Sequence, residues 1–359
     1  MAKRPSRRGS SAPTIADVAK RAGVSPMTVS RVINGEQTVR PLTRAAVEDA
    51  IRALNYAPNS AARSLAGGGQ VRIGLLYSNP SAAYLSEFLV GVLDQASRGD
   101  VQLVIEKCEP GQDEQRAARH LLDGGVDGVL LPPPLSDSSE VIAIFEAADV
   151  PVVLVASARP PERVSSVGID DFEAARAMTQ HLLAMGHDRI GFIVGNPNQH
   201  ASTRRLEGYR AALEARGAPV DDALIAQGLF TYRSGLDAAE HLLAHDPRPT
   251  AIFASNDDMA AATIAVAHRR GIDVPGDLSI CGFDDTPFAT TIWPELTTIH
   301  QPIADMSRAA LDQLVVEARE RRAGKPAAPK RVLLDYALVR RHSDAPPRRR
   351  RPEVVADKR

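Results

Sequence analysis

A short segment near the N terminus carries side chains whose types and spacing suggest recognition of DNA. Arg31 has a planar guanidinium that can donate two hydrogen bonds to O6 and N7 of one guanine in the major groove. Thr28, Ser30 and Asn34 are small polar residues of the kind that position a helix on phosphates. Met27 can contact a thymine methyl but cannot read donors or acceptors. We therefore expect direct base readout to depend on Arg31.

Two short helices joined by a turn are predicted to present these side chains. Thr14 can cap the first helix, and Asp17, three residues later, can return the capping contact. Gly23 stands where the first helix needs a residue with positive φ in order to end. Ser25 can cap the second helix, with Pro26 at its first position, where a missing N–H does no harm. The pattern is typical of a helix-turn-helix, and an ordinary helical corner is the alternative.

A third helix and a conditional fourth helix are predicted to follow. Thr43 is expected to cap the third helix, whose apolar residues recur at helical spacing. Residues 59–66 are followed by three glycines and are too few for a stable isolated helix. We expect this hinge to be helical only when it packs against something. Leu65 is its one large apolar side chain.

This N-terminal region resembles the DNA-binding headpiece and hinge of the lactose-repressor/galactose-repressor family of bacterial transcription factors. The matching motifs are Asp17-Val18-Ala19, Ala22-Gly23-Val24-Ser25, Thr28-Val29-Ser30-Arg31-Val32-Ile33-Asn34, Leu54-Asn55-Tyr56 and Asn59 with Ala62-Arg63-Ser64-Leu65. The resemblance continues to about His342. It implies that paired hinge helices enter the minor groove, where Leu65 wedges into the central base step and kinks the duplex. The residues expected at the DNA are Thr14, Ser25, Pro26, Met27, Thr28, Ser30, Arg31, Asn34, Tyr56, Asn59, Ala62, Arg63 and Leu65.

The charge distribution supports a chain whose two ends meet different partners. The formal net charge of the 359 residues is −1, but residues 1–70 carry +7 and residues 340–359 carry +5. The body between them is therefore acidic. Basic ends favour a polyphosphate partner, and an acidic body resists non-specific wrapping of DNA.

The body of the chain alternates short apolar runs with amphipathic segments, which predicts parallel sheets covered on both faces. The predicted strands are Val71–Tyr77, Gln102–Cys108, Gly128–Leu131, Val150–Ala156, Ile190–Val194, Ala251–Ala254 and Leu278–Gly282, all read as buried. The predicted helices are Tyr84–Ser97, Glu114–Gly124, Phe172–Met185, Arg204–Arg216, Arg233–Ala244 and Met259–Arg270. Their number suggests two such units.

The predicted fold is a small all-α helix-turn-helix headpiece plus an α/β core of two doubly wound parallel-sheet subdomains, like a periplasmic sugar-binding protein. The resemblance implies that the chain crosses between the subdomains near 164–167, 298–301 and 330–333. The predicted domains are a disordered basic tail (1–13), the headpiece (14–58), the hinge (59–69), the effector-binding core (70–343) and a second disordered basic tail (344–359). Subdomain one takes about 70–165 and 299–331, and subdomain two about 166–298 and 332–343.

Candidate ligand residues follow the predicted strands, where ligands bind in this architecture. By resemblance, Arg205 aligns with an arginine that clamps sugar hydroxyls or an anionic group. The motifs of Asn256, Asp257 and Asp284 also match the family's effector contacts; these residues stand at strand ends and suit the vicinal hydroxyls of a neutral sugar, although the first two also suit a helix cap. By resemblance, Phe230 aligns with an aromatic platform for the apolar face of a sugar, and a buried core residue is the alternative.

The first-subdomain side of the cleft departs from the family pattern. Ala156 stands where members often carry an aspartate after the strand. The candidates on this side are Asn79, Ser81 and Tyr84. The usual Ser-Asn-Pro-aromatic run of the family is also stretched here, over Ser78–Tyr84, and these two departures leave the identity of the effector open.

Sequence patterns typical of enzymes, metal sites and membrane spans are not found in the chain. It has no P-loop, no dinucleotide-binding glycine motif, no nucleophile elbow and no HExxH. Its two cysteines, Cys108 and Cys281, lie in separate apolar runs and are expected to be buried, and the histidines are expected to be solvated or at helix ends. No run reaches the roughly 20 apolar residues of a membrane span. We expect a soluble cytoplasmic protein without a cofactor or metal and without enzyme activity.

The sequence thus predicts a homodimeric, effector-responsive regulator that binds a palindromic operator, most simply a repressor of carbohydrate uptake or catabolism genes. The C-terminal tail lacks a leucine heptad, so a dimer is favoured over a tetramer. Two alternatives remain: a regulator controlled by a protein co-effector such as a phosphocarrier, and a sugar-binding or sugar-processing protein without operator function. Whether the effector induces or co-represses is open.

Overall fold

A computed structural model describes residues 14–33, 39–54, 70–109, 111–325 and 328–348. The chain divides into two compact units, Met1–Gln70 and Val71–Arg359. Each unit has its own hydrophobic core.

Three helices form the described part of the first unit. They are α1 (Ile15–Ala22), α2 (Pro26–Ile33) and α3 (Pro41–Leu54). Their shared core is Val18, Ala19, Val29, Val32, Val47 and Ala50.

The ends of these helices follow the sequence prediction with one exception. Thr14 and Asp17 form the predicted capping box, and Gly23 ends α1 with φ 67°. Thr43, however, is not a cap, because α3 already begins at Pro41. Proline is favoured at the first position of a helix, where its fixed φ is helical and its missing N–H is not needed.

The second unit contains twelve strands and nine helices within the described residues. The strands are β1 (Val71–Tyr77), β2 (Val101–Lys107), β3 (Gly128–Leu131), β4 (Val152–Val155), β5 (Ser165–Gly168), β6 (Ile190–Val194), β7 (Ile225–Gln227), β8 (Ala251–Ala254), β9 (Ser279–Asp284), β10 (Thr297–His300), β11 (Arg331–Leu333) and β12 (Ala337–Val339). The helices are α4 (Ala82–Arg98), α5 (Glu114–Asp123), α6 (Ser139–Ala147), α7 (Asp171–Ala184), α8 (His200–Arg216), α9 (Tyr232–Leu242), α10 (Asp257–Arg269), α11 (Phe288–Thr291) and α12 (Ile303–Arg322).

Two six-stranded sheets define two subdomains. The first sheet has the order β11-β5-β4-β3-β1-β2 and all its pairs are parallel. The second has the order β12-β10-β9-β8-β6-β7 and is parallel except for the β10–β12 pair. Central strands such as β3 and β8 are buried throughout because helices cover both faces, which confirms the predicted fold class.

β2 corrects one part of the strand prediction. This strand lies close to its predicted range but is not buried, since it pairs with β1 alone and its residues alternate in exposure. Ile105 on β2 is 46% exposed. The strands β5, β7, β10, β11 and β12 were not predicted, because none of them contains four consecutive apolar residues.

The chain crosses between the subdomains three times. Each crossing follows the end of a strand: after β5, after β10 and after β11. The predicted crossings lie within a few residues of these positions, and the one near 298–301 includes the end of β10 at His300. Subdomain one therefore extends to Gly168 and Leu333.

The segment 343–348 belongs to the second subdomain, so the predicted disordered tail is wrong for residues 344–348. The Ser343 hydroxyl donates to the Ile280 carbonyl over 2.6 Å and accepts from the backbone N–H of Thr297 over 2.8 Å. Asp344 accepts from Thr297 Oγ1 over 2.5 Å and pairs with His181 Nε2 over 2.7 Å. Residues 349–359 lie outside the described residues.

His187 follows the end of α7, as predicted, and this segment buries it. His187 is 1% exposed, and its ring nitrogens contact Thr250 Oγ1 and the Ala345 carbonyl, each over 2.9 Å. Cys108 and Cys281 are buried and unpaired with each other, as expected. Within the described ranges, no helix has both the length and the apolar character needed to cross a bilayer.

Candidate nucleic-acid interface and ligand cleft

The outer face of α2 presents the side chains predicted to read DNA. Ser25 caps the helix: its hydroxyl accepts from the Thr28 N–H over 3.2 Å and lies 2.9 Å from the Thr28 hydroxyl. Met27 and Arg31, one helical turn apart, are both exposed, and Met27 is 64% exposed. Met27 is not part of the hydrophobic core of the headpiece.

The remaining described candidates flank this face. Pro26 is exposed at the start of α2, and Thr28 and Ser30 are half-buried on it, while Thr14 is exposed at the start of α1. The other candidates are outside the described residues and stay predictions: Asn34, Tyr56, Asn59, Ala62, Arg63 and Leu65.

A small cavity of about 30 Å³ lies between the two subdomains, lined by residues at the carboxyl ends of their strands. Seven of the eight predicted ligand residues line it: Asn79, Ser81, Tyr84, Arg205, Phe230, Asn256 and Asp284. Six further residues complete the lining: Pro80, Pro133, Ala156, Gln199, Ala201 and Gln301.

Asp257 is the exception and does not line the cavity. Its side chain is fully buried inside the second subdomain, where it accepts from the Thr286 N–H over 2.7 Å and from the Thr298 hydroxyl over 2.6 Å. Burial raises the pKa of Asp257 to about 7, although these hydrogen bonds lower it. Asp257 therefore holds the segments around β9 and β10 against α10.

Asn256 does both things that the sequence suggested. Its side-chain oxygen caps α10 by accepting from the Met259 N–H over 3.0 Å, and its amide donates to the Phe230 carbonyl over 3.1 Å. It nevertheless lines the cavity. Asn256 thus fixes the turn that carries Phe230 as well as offering a polar group to a ligand.

Arg205 on α8 is the buried cation of the cleft. Its Nε donates to Asp171 Oδ1 over 2.8 Å, and its Nη1 donates to the Ser255 carbonyl over 2.5 Å. The guanidinium stacks on the Phe283 ring, with 3.6 Å from Cζ to the ring centroid. Burial raises the pKa of the Asp171 carboxyl, and Arg205 opposes that rise. The guanidinium is therefore held in one orientation before any ligand is bound.

Asp284 faces Arg205 from the end of β9. Its Oδ1 lies 3.8 Å from Arg205 Nη1 and accepts a hydrogen bond from Gln301 Nε2 over 2.5 Å. Burial raises the pKa of Asp284 well above its usual value, and Arg205 acts against this rise. Gln301 was missed by the sequence analysis, and it lies directly after β10, a strand that was not predicted.

Three residues of the lining adopt left-handed backbone conformations. Ala156 has φ 53°, Phe230 φ 60° and Asp284 φ 111°. Phe230 is buried and still lines the cavity, so both interpretations of this residue hold. Its ring fits because Gly195 has no side chain: a Cβ there would lie 1.9 Å from the ring. Strained conformations of this kind cluster at ligand sites, where the surrounding structure fixes them.

Within the described ranges, three pairs of polar residues are in contact across the cleft. Ser81 Oγ donates to Asp258 Oδ2 over 2.7 Å, and the His200 N–H donates to Asp137 Oδ2 over 2.8 Å. Arg159 pairs with Glu207 over 2.8 Å. These contacts could not be predicted from the sequence, since each joins residues 48 to 177 positions apart.

Two buried polar atoms of the lining have no hydrogen-bond partner among the described residues: Tyr84 Oη and Gln301 Oε1. Buried polar groups are usually paired, so each is available to a polar ligand. No cluster of potential metal ligands occurs within the described ranges. The arrangement can bind a small molecule that both donates and accepts hydrogen bonds.

Comparison with known proteins gives matches to both parts of the chain. Residues 14–59 match the family described as bacterial regulatory proteins, lacI family, and residues 179–343 match the periplasmic binding protein-like domain. Catabolite control protein A of Priestia megaterium is 37% identical over 302 residues, which cover 83% of this chain and 90% of the relative. The ribose operon repressor of Escherichia coli K12 is 36% identical over 307 residues, covering 84% and 92%.

Solved structures are similar over most of the chain. A transcriptional regulator CelR–cellobiose complex has a TM-score of 0.70 and 35% identity, covering 92% of this chain and 99% of that one. The lac repressor dimer bound to operator and the anti-inducer ONPF has a TM-score of 0.78 and 28% identity, covering 93% and 100%.

Proposed function

The chain belongs to the lacI family of bacterial regulatory proteins, and on that premise we propose that it is an operator-binding repressor of carbohydrate uptake or catabolism genes, controlled by a neutral sugar in the cleft. The observation that carries this proposal is the fixed Arg205, held between Asp171 and Asp284 in a chain that also has an intact helix-turn-helix.

The neutral character of the ligand follows from the charges around Arg205. Its guanidinium already faces two buried carboxylates, those of Asp171 and Asp284. An anionic ligand would need Arg205 for itself and would leave these carboxylates uncompensated in a buried site. Sugar hydroxyls can donate to Asp284 and accept from Arg205 without adding charge. The bound cellobiose of the CelR structure supports the same class of ligand.

The DNA contacts are proposed on the outer face of α2. Arg31 and Met27 are exposed there together, so one helix placed in the major groove brings both to the bases. Arg31 would fork onto a guanine and Met27 would contact a thymine methyl. The hinge leucine, Leu65, would kink the centre of the site.

A homodimer is proposed through α4 and β2 of the first subdomain. Val90 and Leu93, three residues apart on α4, are 55% and 52% exposed, and Ile105 on the edge strand β2 is 46% exposed. Apolar side chains on an edge strand and its neighbouring helix suit burial by a second copy. The dimeric lac repressor structure supports this assembly. Sedimentation equilibrium should show a dimer for the wild type and a monomer for Leu93→Glu.

Control of DNA affinity by the ligand requires two states of the core that the ligand distinguishes. Moving the protein from almost fully bound to almost fully free takes a difference of about 5.5 kcal/mol in ligand binding between the states. The hydrogen bonds from Ser81 and His200 across the cleft are the contacts that a change of cleft angle would break or make.

The test of operator recognition is selection of duplexes from a random library by the purified full-length chain. We expect enrichment of a palindrome, because two headpieces of a dimer read two half-sites. Titration calorimetry with cellobiose and a set of monosaccharides tests the ligand. The proposal fails if no sequence is enriched over non-specific binding.

A further inference from the structure

The helix that carries Arg205 begins without a cap of its own. Helix α8 starts at His200, and the side chain of the preceding residue, Gln199, makes no capping hydrogen bond. The first turn of α8 also contains no acidic residue. Since the first N–H groups of a helix have no partner within the helix, such a start needs an acceptor from elsewhere.

Other helices that begin beside the cleft are capped from within their own segment. The caps are Ser81 for α4, Thr231 for α9 and Asn256 for α10, and each accepts a hydrogen bond from a backbone N–H three residues later. These three helices keep their first turn whatever the other subdomain does. Helix α8 differs from them in this respect.

Asp137 of the first subdomain supplies the acceptor that α8 lacks. It ends the short 3₁₀ turn Leu135–Asp137, and its Oδ2 accepts from the backbone N–H of His200 over 2.8 Å. Its Oδ1 accepts from the hydroxyl of Ser157, on its own subdomain, over 2.6 Å. One subdomain thus orients the carboxylate, and the carboxylate caps a helix of the other. A negative charge at a helix N terminus is favourable.

The Asp137 carboxylate in turn depends on the second subdomain. Its side chain is 2% exposed, and the ring Nδ1 of His200 lies 3.2 Å from Oδ1. A buried carboxylate that loses its partners is unfavourable. Separation of the subdomains would therefore leave α8 uncapped and Asp137 without its contacts to His200 at the same time.

The capped turn also carries ligand-facing residues. Gln199, Ala201 and Arg205 line the cleft cavity, whereas Asp137 and His200 lie outside its lining. A ligand that contacts the start of α8 and a carboxylate that caps it favour the same ordered turn. Two groups that stabilise one conformation strengthen each other's binding without touching.

We propose that Asp137 is a positioning residue that caps α8 across the cleft and thereby couples ligand contact on this helix to closure of the two subdomains. With the subdomains together, Asp137 holds the first turn of α8 and places Gln199 and Ala201 for the ligand. With the subdomains apart, this turn loses its cap. The inference rests on the proposed function, because it concerns how a ligand in the same cleft is sensed.

Titration calorimetry on the full chain tests this role with cellobiose, glucose, galactose and xylose as probes. For a probe that binds, we expect Asp137→Ala to weaken binding about tenfold, since loss of a helix cap has an effect of this order. Asp137→Asn keeps an oxygen that can accept from the His200 N–H, and should recover most of the loss. Wild-type affinity in Asp137→Ala would overturn the proposal.

Ser138→Ala is the matched control for this experiment. Ser138 is the neighbour of Asp137 in sequence, and its hydroxyl caps α6 within the first subdomain by accepting from the Val141 N–H. The variant loses a cap of similar strength that does not cross the cleft. It should therefore bind each probe as the wild type does.

A cap placed on α8 itself separates capping from a general structural role of Asp137. Gln199 has the extended backbone of an N-cap, with φ −117° and ψ 125°, so a serine there can accept from the first turn. Measured within the Gln199→Ser background, Asp137→Ala should weaken binding by about twofold or less. A loss of about tenfold in both backgrounds would show that Asp137 does not act by capping α8.

Hydrogen exchange provides a test that needs no sugar. Because the His200 N–H bonds to Asp137, the peptide that contains it should exchange at least about tenfold faster in Asp137→Ala than in the wild type. The start of α10, which Asn256 caps, should keep its rate in both proteins. Equal exchange at His200 in the two proteins would contradict the cap.

The outcomes separate this inference from the proposed function. If a sugar binds and changes operator affinity equally in the wild type and in Asp137→Ala, the inference falls and the proposed function stands. If no sugar binds to a chain that still binds its operator, the sugar-controlled function falls and the coupling falls with it. Exchange at His200 then decides whether Asp137 caps α8.

Discussion

Arg205 donates through Nε to Oδ1 of Asp171 over 2.8 Å, and both side chains are buried in the wall of the cleft. On the other side of the guanidinium, Asp284 Oδ1 lies 3.8 Å from Nη1. The cation of the cleft is thus balanced by the protein itself. Its remaining hydrogen-bonding capacity, rather than its charge, is what it offers to a ligand.

Removing this cation should affect both binding and stability. Arg205→Ala leaves two buried carboxylates without a partner, so we expect the free energy of unfolding to fall by about 3–5 kcal/mol. Effector binding should be lost. Urea unfolding and titration calorimetry measure the two effects. Arg205→Lys keeps the charge but not the planar fork, and should lose binding with a smaller loss of stability. Wild-type effector affinity in Arg205→Ala would contradict the site.

Asp257 should make the stability of the core depend on pH. Burial raises its pKa to about 7, so the folded state binds this proton more tightly than the unfolded state does. The contribution of this proton to the free energy of unfolding is fully present below the pKa of Asp257 in the unfolded chain, near 3.9. It is lost as the pH rises through 7, by on the order of 1 kcal/mol per pH unit.

Asp257→Asn removes this titration while other groups stay in place. The free energy of unfolding of the wild type should therefore fall between pH 5 and pH 8 by more than that of Asp257→Asn. The variant then gains stability relative to the wild type at the higher pH, and urea unfolding at both pH values measures this. A difference between variant and wild type that stays constant over this range would show that Asp257 does not titrate there.

Arg31 should carry base discrimination by the headpiece. Arg31→Ala is expected to cost about 1–3 kcal/mol of operator binding and to relax the preference at one guanine of each half-site. Arg52→Ala on α3, an exposed arginine paired with Asp49, is the matched control and should keep that preference. If Arg31→Ala weakens binding to operator and to scrambled duplexes equally, Arg31 contacts a phosphate rather than a base.

The segment 343–348 should stabilise the second subdomain through Asp344 rather than through its arginines. The Asp344 carboxylate is fully buried against His181 and Thr297. We expect Asp344→Ala to cost about 3–5 kcal/mol in urea unfolding. Arg348→Ala breaks only exposed pairs with Asp273 and Asp277, and should cost less than about 1 kcal/mol. Similar losses for the two variants would argue against a structural role for Asp344.

The headpiece could be predicted because its signals are local. The contacts of Thr14 with Asp17 and of Ser25 with Thr28 span three residues, so the sequence contains both partners side by side. The one error, at Thr43, arose where two good helix-starting residues stand close together. Pro41 begins the helix and Thr43 lies within its first turn.

The cleft could be predicted only in part, because long-range packing decides which side chains reach it. Asn256 and Asp284 were found from their places at the ends of apolar strands. Asp257 was assigned wrongly, since its contacts with Thr286 and Thr298, 29 and 41 residues away, turn it into the core. Gln301 obeys the same strand-end rule but follows β10, whose four residues gave no apolar run.

The central claim is that the cleft ligand controls operator binding, and fluorescence anisotropy tests it most directly. The selected palindromic duplex is labelled and titrated with the full chain at fixed salt, with and without the sugar that calorimetry identifies. We predict selective binding of the operator. The sugar should change the operator affinity of the wild type by at least tenfold but leave that of Arg205→Ala unchanged. Equal operator affinity with and without a sugar that is bound in the cleft would contradict the account.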